Sequence, residues 1–199
     1  APLPPGVIAT WAAMRTEVLG GQVLDIVNEV SGEESAEAAY RVMEFKTAAY
    51  TVARPLELGA RVAGASEELI DQLRSVGHDL GIAFQLQDDL LGVFGDPERT
   101  GKPSGDDITE GKFSFPLIHA VRTAKDATLL TMLQQHTQDP ALKQQAVAYM
   151  QDVTNSFAYT RDVWHALHTQ TRTEIARLER TWGENQAMHR LLDALRIGA

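Results

Sequence analysis

Residues 81–112, GIAFQLQDDLLGVFGDPERTGKPSGDDITEGK, run an apolar helical pattern into a glycine-rich stretch that carries carboxylates, a glutamine and two lysines. Upstream of the carboxylates, no proline interrupts Ser66 to Val93, and Ile82, Leu86, Leu90 and Val93 recur at helical spacing. That stripe is expected to face a core. At roughly 100° per residue, Gln85, Asp88, Asp89 and Gly92 share a neighbouring sector and can face one cavity together. Two adjacent carboxylates at a helix C-terminal end repel each other and the negative end of the macrodipole. A divalent cation relieves this, and all-oxygen ligands beside lysines suit Mg²⁺, which keeps waters and completes its shell with substrate phosphate oxygens. A bare Asp-Asp pair more often caps or solvates a helix end. Here, however, glycines at 95, 101, 105 and 111 let backbone approach a ligand, with Lys102 and Lys112 interspersed. Neither the GxxxxGK[ST] of a Walker loop nor a GxGxxG opening a helix is present.

Outward from this stretch the pattern is helical throughout, with no clear strand. Residues 7–30 form a first helix, with Ile8, Trp11, Ala12, Val18, Leu19, Val23 and Ile26 as apolar positions and Gly20-Gly21 as a close-packing or bending point. Gln22 and Asp25 lie three residues apart and share a face. A second helix is expected from about Ser35 to Ala63, kinked by Pro55, which lacks the donor for a helical bond. Glu33, Glu34 and Glu37 at its start are read as favourable dipole charges. After the glycine-rich stretch, helices are expected over Phe115–Ala124, Ala127–His136, Ala141–Val153, Ser156–Trp182 and Glu184–Ile197, punctuated by Asn155-Ser156 and Gly183. His119, His165, His168 and His189 have no metal-ligand spacing and are read as structural or surface residues. Phe157, Tyr159 and Trp164 are read as packing residues.

Composition sets the bounds. With 199 residues and 44% hydrophobic content the chain can bury one substantial core, and its length argues for a single domain over 1–199. It has no cysteine, so disulfides and thiolate metal sites are excluded. A formal net charge of -9 disfavours nucleic acid as a partner. No stretch reaches the roughly 18 apolar residues of a membrane span, and residues 1–14, with no basic segment and no sustained apolar run, are no signal peptide. Bulk properties therefore fit a cytoplasmic helical protein.

The segment FQLQDDLLGVFGDPERTGKPSGDDITEGK resembles the second aspartate-rich region of the trans-isoprenyl diphosphate synthases, whose pattern is FQxxDDxxD followed by GD, TGKxxxxD and EGK. It is most similar to the short-chain members, such as geranylgeranyl and farnesyl diphosphate synthases, with Gly92 in place of the third aspartate. LGGQVLDI resembles the family's GQxxD helix and FKTAAY its KT motif, so the similarity extends from about residue 15 onward. The family's first aspartate-rich motif, which lies upstream of GQxxD, has no counterpart here. With no initiator methionine, the chain is expected to be the C-terminal portion of a truncated, cleaved or incompletely resolved synthase.

The resemblance implies an all-α, isoprenoid-synthase-type helical bundle. It implies a magnesium-dependent prenyltransferase that condenses isopentenyl diphosphate with an allylic prenyl diphosphate, usually as a homodimer. Residue by residue, it implies Asp88 as a direct Mg²⁺ ligand, with Asp89 acting directly or through water. Lys46, Lys102 and Lys112 would contact the diphosphate, and Thr47 and Gln85 would turn oxygens toward the cation formed. Gln22 and Asp25 would support the site, and Asp107 would orient Lys46 or Lys102. With half of the site absent, this stretch alone is expected to be inactive. A non-catalytic prenyl-diphosphate-binding homologue or partner subunit remains an alternative, as does, less favoured, a class I terpene cyclase.

Overall fold

The computed structural model describes residues 2–31, 35–101, 104–112, 114–124, 131 and 138–195, and of residues 99 and 100 only the backbone. These residues are helical, with no strand among them. The helices are α1 (Val7–Ser31), α2 (Ala36–Val42), a π-helical run (Met43–Ala53), α3 (Arg54–Val62), α4 (Glu67–Phe94), α5 (Pro97–Thr100), α6 (Asp106–Glu110), α7 (Phe115–Thr123), α8 (Pro140–Asp152), α9 (Ser156–Trp182) and α10 (Gln186–Ala194). They group into two compact units, one of residues 1–25, 41–85 and 165–199, the other of residues 26–40 and 86–164.

Local chemistry sets the helix ends. Ser66 stands before α4 and its Oγ accepts from Leu69 N at 3.3 Å, with Glu67 and Glu68 in the first turn, where carboxylates complement the macrodipole. Ser35 caps α2 in the same way, through Ala38 N at 3.1 Å, and Glu37 occupies its first turn as expected; Glu33 and Glu34 lie outside the described residues. Asp139 caps α8 through Ala141 N at 2.8 Å. Asn185 caps α10 through Ala187 N at 3.0 Å, which starts that helix two residues later than expected. Gly183, at φ +92°, terminates α9. The helix expected over residues 127–136 lies, apart from Thr131, outside the described residues, as does Ile197.

The expected second helix is present as three consecutive segments. Between Met43 and Ala53 the hydrogen-bond register widens to i→i−5, and Arg54 N still donates to Ala49 O. The register returns to α-helical around Pro55, which sits at the start of α3. A proline has no N–H, so a change of register there sacrifices no bond. Pro55 thus marks the point where the π-helical run gives way to α3.

In the first unit, glycines bring backbones together around this run. A Cβ on Gly21 of α1 would lie 2.8 Å from Lys46 Cα and closer still to Lys46 N. On α4, one at Gly81 would lie 2.7 Å from Ala48 Cβ and closer to its Cα, and one at Gly77 2.8 Å from Ala53 Cα. Only a residue without a side chain permits such approaches. Buried Met43, Ala48 and Val52 of the run, with Ile70, Leu80 and Ile82 of α4 and Ile175 of α9, supply apolar burial, each large side chain contributing about 1.5–3 kcal/mol.

The α1 apolar positions divide differently from a simple core face. Val7, Thr10, Met14 and Gly21 are buried, whereas Ile8, Trp11, Leu19, Val23 and Ile26 are at least half exposed. Of the expected pair of glycines, Gly21 is the close-packing point and Gly20 has open space beside it.

In the second unit, Val93, Ile108, Leu117, Ala120, Ala146 and Met150 form a buried cluster. Phe94 meets Phe157 edge-on with centroids 5.2 Å apart, a favoured aromatic geometry. Across the length of α4, Ile82, Leu86, Leu90 and Val93 are all at most 3% exposed, the stripe that their spacing predicts.

Candidate active site

On the first unit, the π-helical run presents Lys46 and Thr47 side by side. Lys46 Nζ donates to Asp25 Oδ2 at 2.5 Å, and Thr47 Oγ1 donates to Gln85 Oε1 at 2.6 Å. The same logic positions both partners. Gly21 and Asp25 are four residues apart on one face of α1, and Gly81 and Gln85 are four apart on one face of α4. Each flanking helix therefore gives a glycine to the backbone of the run and, one turn on, a polar group to one of its side chains. Gln22 is exposed and has no such position.

On the second unit, the two adjacent aspartates at the end of α4 have different surroundings. Asp89 is 3% exposed. Its Oδ1 accepts from Lys112 Nζ at 3.2 Å and its Oδ2 from Phe115 N at 2.9 Å. Asp88 has a side chain 60% exposed, with Lys112 Nζ 3.7 Å from its Oδ2. Asp107, buried on α6, reaches the same ammonium at 3.4 Å. Lys112 is thus bracketed by three carboxylates. Burial works against its charge, but the fields of Asp89, Asp107 and Asp88 outweigh it and hold the ammonium pKa well above its ordinary value. Burial pushes the Asp107 carboxyl up to about 6; Lys112 pulls it back, and Asp89 and Asp88 add to the rise.

Asp107 therefore meets Lys112, whereas Lys46 has Asp25 and Lys102 lies outside the described residues. Geometry also separates the lysines by role. Lys46 is matched to one carboxylate and half exposed, while Lys112 is matched to three. Of the two, Lys46 is the better placed to meet a further anion.

Sequence reasoning passed over a buried carboxylate. Glu57 is 2% exposed and accepts from Thr10, Arg54 and Arg61 at 2.9, 2.6 and 3.0 Å, and Arg54 also binds Glu17. Burial alone would raise the Glu57 pKa, but hydrogen bonds from Arg54, Thr10 and Arg61 hold it below the usual carboxylate value. The signal was available in the sequence, since Arg54 and Arg61 stand at i−3 and i+4. A cavity of about 320 Å³ lies beside this network, lined by Glu17, Glu44, Arg54, Arg74 and His78 among others. It contains none of the expected site residues.

Three of the residues read as packing or surface groups, His119, His189 and Trp164, have defined surroundings. His119 stacks on Tyr159 at 4.1 Å and shares a 2.9 Å hydrogen bond with Ser156, burial lowering its pKa. His189 pairs with Glu179 at 2.8 Å. Trp164 is 4% exposed.

These observations test the fit of a metal. No cluster of three or more His, Asp or Glu that could hold an ion occurs among the described residues. One exposed carboxylate, Asp88, stands beside a second, Asp89, whose two oxygens are engaged. That donor set fits Mg²⁺, which typically takes one or two carboxylates and completes its shell with water and phosphate oxygens.

The fold is that of the all-α isoprenyl synthases. A geranylgeranyl pyrophosphate synthase from Corynebacterium glutamicum, solved in complex with isoprenyl diphosphate and magnesium, superposes with a TM-score of 0.84 at 40% identity over 97% of this chain and 56% of that one. The chain belongs to the polyprenyl synthetase family, whose model matches residues 4–150. It is 38% identical over 119 residues to the geranylgeranyl pyrophosphate synthase paxG of Penicillium paxilli, covering 59% of this chain and 32% of that protein. It is 40% identical over 107 residues to a geranylgeranyl diphosphate synthase of Mycobacterium tuberculosis, covering 54% of this chain and 30% of that protein. The chain thus aligns with about a third of the length of these curated relatives. No described helix is long and apolar enough to cross a membrane.

Proposed function

We propose that this chain is the C-terminal part of a single polyprenyl synthetase domain. The complete protein would condense isopentenyl diphosphate head-to-tail with an allylic diphosphate, giving a longer all-trans prenyl diphosphate such as geranylgeranyl diphosphate. The observation that carries this reading is Asp88, exposed at the end of α4 beside the carboxylates gathered on Lys112. The relatives named above support the same chemistry.

In this reaction the allylic carbon–oxygen bond breaks, the diphosphate leaves with the electron pair, and an allylic cation remains. The double bond of isopentenyl diphosphate attacks it, a carbon–carbon bond forms, and a proton is lost to regenerate an alkene. Bound magnesium supplies neutralisation of the charge that develops on the departing diphosphate. Asp88 would hold that ion, and Asp89 would support it from its seat under Lys112. Lys46 and Lys102 would contact the diphosphate as point charges. Thr47 and Gln85, already joined at 2.6 Å, would turn oxygen dipoles toward the cation. Asp25 holds the Lys46 side chain in place through their 2.5 Å contact, and Gln22 lies one turn behind it. The same reading includes a cytoplasmic homodimer, which sedimentation and fractionation of the complete protein test.

Binding separates this function from a merely structural role for the lysines. In the complete protein, Lys46→Ala or Lys102→Ala weakens an allylic diphosphate much more than the corresponding alcohol, because only the former carries the anion. Equal losses for both ligands would refute the diphosphate contact. A non-catalytic homologue would bind the diphosphate normally yet turn nothing over.

A further inference from the structure

The carboxylate of Asp107 rests directly on the backbone of α4 at Gly92. A Cβ on Gly92 would stand 2.6 Å from Asp107 Cγ and Oδ2 and closer still to Oδ1. Real side chains do not approach so closely, so any residue with a Cβ at position 92 displaces that carboxylate.

Asp107 has little freedom to give way. Gly105, at φ +73°, donates its N–H to Val93 O at 3.0 Å, and Ser104 Oγ donates to the same carbonyl at 3.3 Å. One residue beyond Asp107, Ile108 is 1% exposed in the cluster that contains Val93. The backbone of α6 is therefore tied to the end of α4 on both sides of Asp107. The Asp107 carbonyl also accepts from Lys112 N at 3.0 Å. Its side chain then bridges the space over Gly92 to Lys112 Nζ at 3.4 Å, a contact already long enough that a small displacement ends it.

We propose that Gly92 is a positioning residue: the absence of a side chain there seats the Asp107 carboxylate, which becomes the third anion around Lys112 and fixes where that ammonium sits relative to Asp88 and Asp89. An aspartate at position 92, as in FQxxDDxxD, would place a second carboxylate in the volume that Asp107 fills. The role in diphosphate binding rests on the reading of Proposed function; the seating itself does not.

A double-mutant cycle tests the coupling. Gly92→Ala, Asp107→Ala and the double variant are made in the 199-residue chain, with Asp107→Ser in reserve should Asp107→Ala not fold. Each is measured by the Lys112 ¹⁵Nζ–¹H resonance and by calorimetric affinity for magnesium pyrophosphate. Gly92→Ala alone shifts the Lys112 resonance and weakens pyrophosphate by roughly threefold to a hundredfold, the span of coupling between contacting residues. With Asp107 already truncated, the same alanine changes neither. An unchanged Lys112 resonance in Gly92→Ala, or equal effects in both backgrounds, overturns the proposal. If the parent chain takes up no magnesium pyrophosphate, the diphosphate reading of this half-site fails, while the resonance cycle still decides the seating.

Discussion

Alanine at the adjacent glycines of α1 changes stability in opposite directions. At Gly20, exposed with no atom within 4 Å of a built Cβ, the substitution only improves helix propensity, by about 0.8–1 kcal/mol. For a chain of this size that raises Tm by about 2–4 °C. At Gly21 the propensity gain is the same, but the new methyl would lie 2.8 Å from Lys46 Cα and closer to its nitrogen. Backbone cannot rotate away as a side chain can, so α1 and the π-helical run must part, at a cost of about 1–3 kcal/mol or somewhat more. Parting also loosens the half-exposed Lys46–Asp25 pair, which adds up to about 1 kcal/mol. With the propensity gain subtracted, the net loss at Gly21 reaches about 3 kcal/mol, a fall in Tm of up to roughly 12 °C. Thermal unfolding followed by circular dichroism reads both. A rise for Gly21→Ala, or a matching fall for Gly20→Ala, would refute the backbone contact that seats Lys46.

Lys112→Met leaves Asp89 and Asp107 without their cation; the lysine is partly exposed, so the penalty for an orphaned buried charge is discounted to about 2 kcal/mol, read as a Tm decrease that added Mg²⁺ partly reverses. Glu57 should make the fold acid-sensitive. Its folded pKa lies below the ordinary 4.5, so between the two values the unfolded chain binds more protons and stability rises with pH. That contribution is present above about pH 4.5 and is lost as pH falls through the folded value; Glu57→Gln flattens this part of a stability–pH profile measured by urea unfolding. Finally, these 199 residues alone turn over no isopentenyl diphosphate with geranyl or farnesyl diphosphate, even in excess Mg²⁺, because positioning both substrates accounts for much of the rate. Turnover matching that of the complete protein would contradict this.

Much of the architecture follows from periodicity that any reader of the sequence can see. Ile82, Leu86, Leu90 and Val93 are buried because their spacing puts them on one face, and Ser66 starts α4 because its side chain satisfies a free N–H group. The π-helical register of Met43–Ala53 was not legible, since hydrogen-bond register leaves no mark on apolar spacing and depends on what flanks the segment. The exposed side of α1 was equally hidden: an apolar residue has the same letter whether covered or bare. Within the site, the resemblance puts Asp88 ahead of Asp89 as a direct metal ligand, but the letters do not show how their surroundings differ. What separates them comes from far along the chain, the Phe115 N–H and the Lys112 ammonium, which engage Asp89 and leave Asp88 toward solvent. The seat of Asp107 on Gly92 likewise depends on a loop folding back to the Val93 carbonyl.

The central claim is that Asp88 is the carboxylate through which this half of the site works on a metal-bound diphosphate. Asp88→Ala in the complete protein tests it most directly, with magnesium-dependent condensation of isopentenyl diphosphate measured beside helix content and Tm. Because Asp88 is 60% exposed at its side chain, folding changes little, while the chemical step falls by at least a hundredfold, the scale of losing one group that stabilises a developing charge. Near-normal magnesium-dependent turnover in that variant would contradict the account.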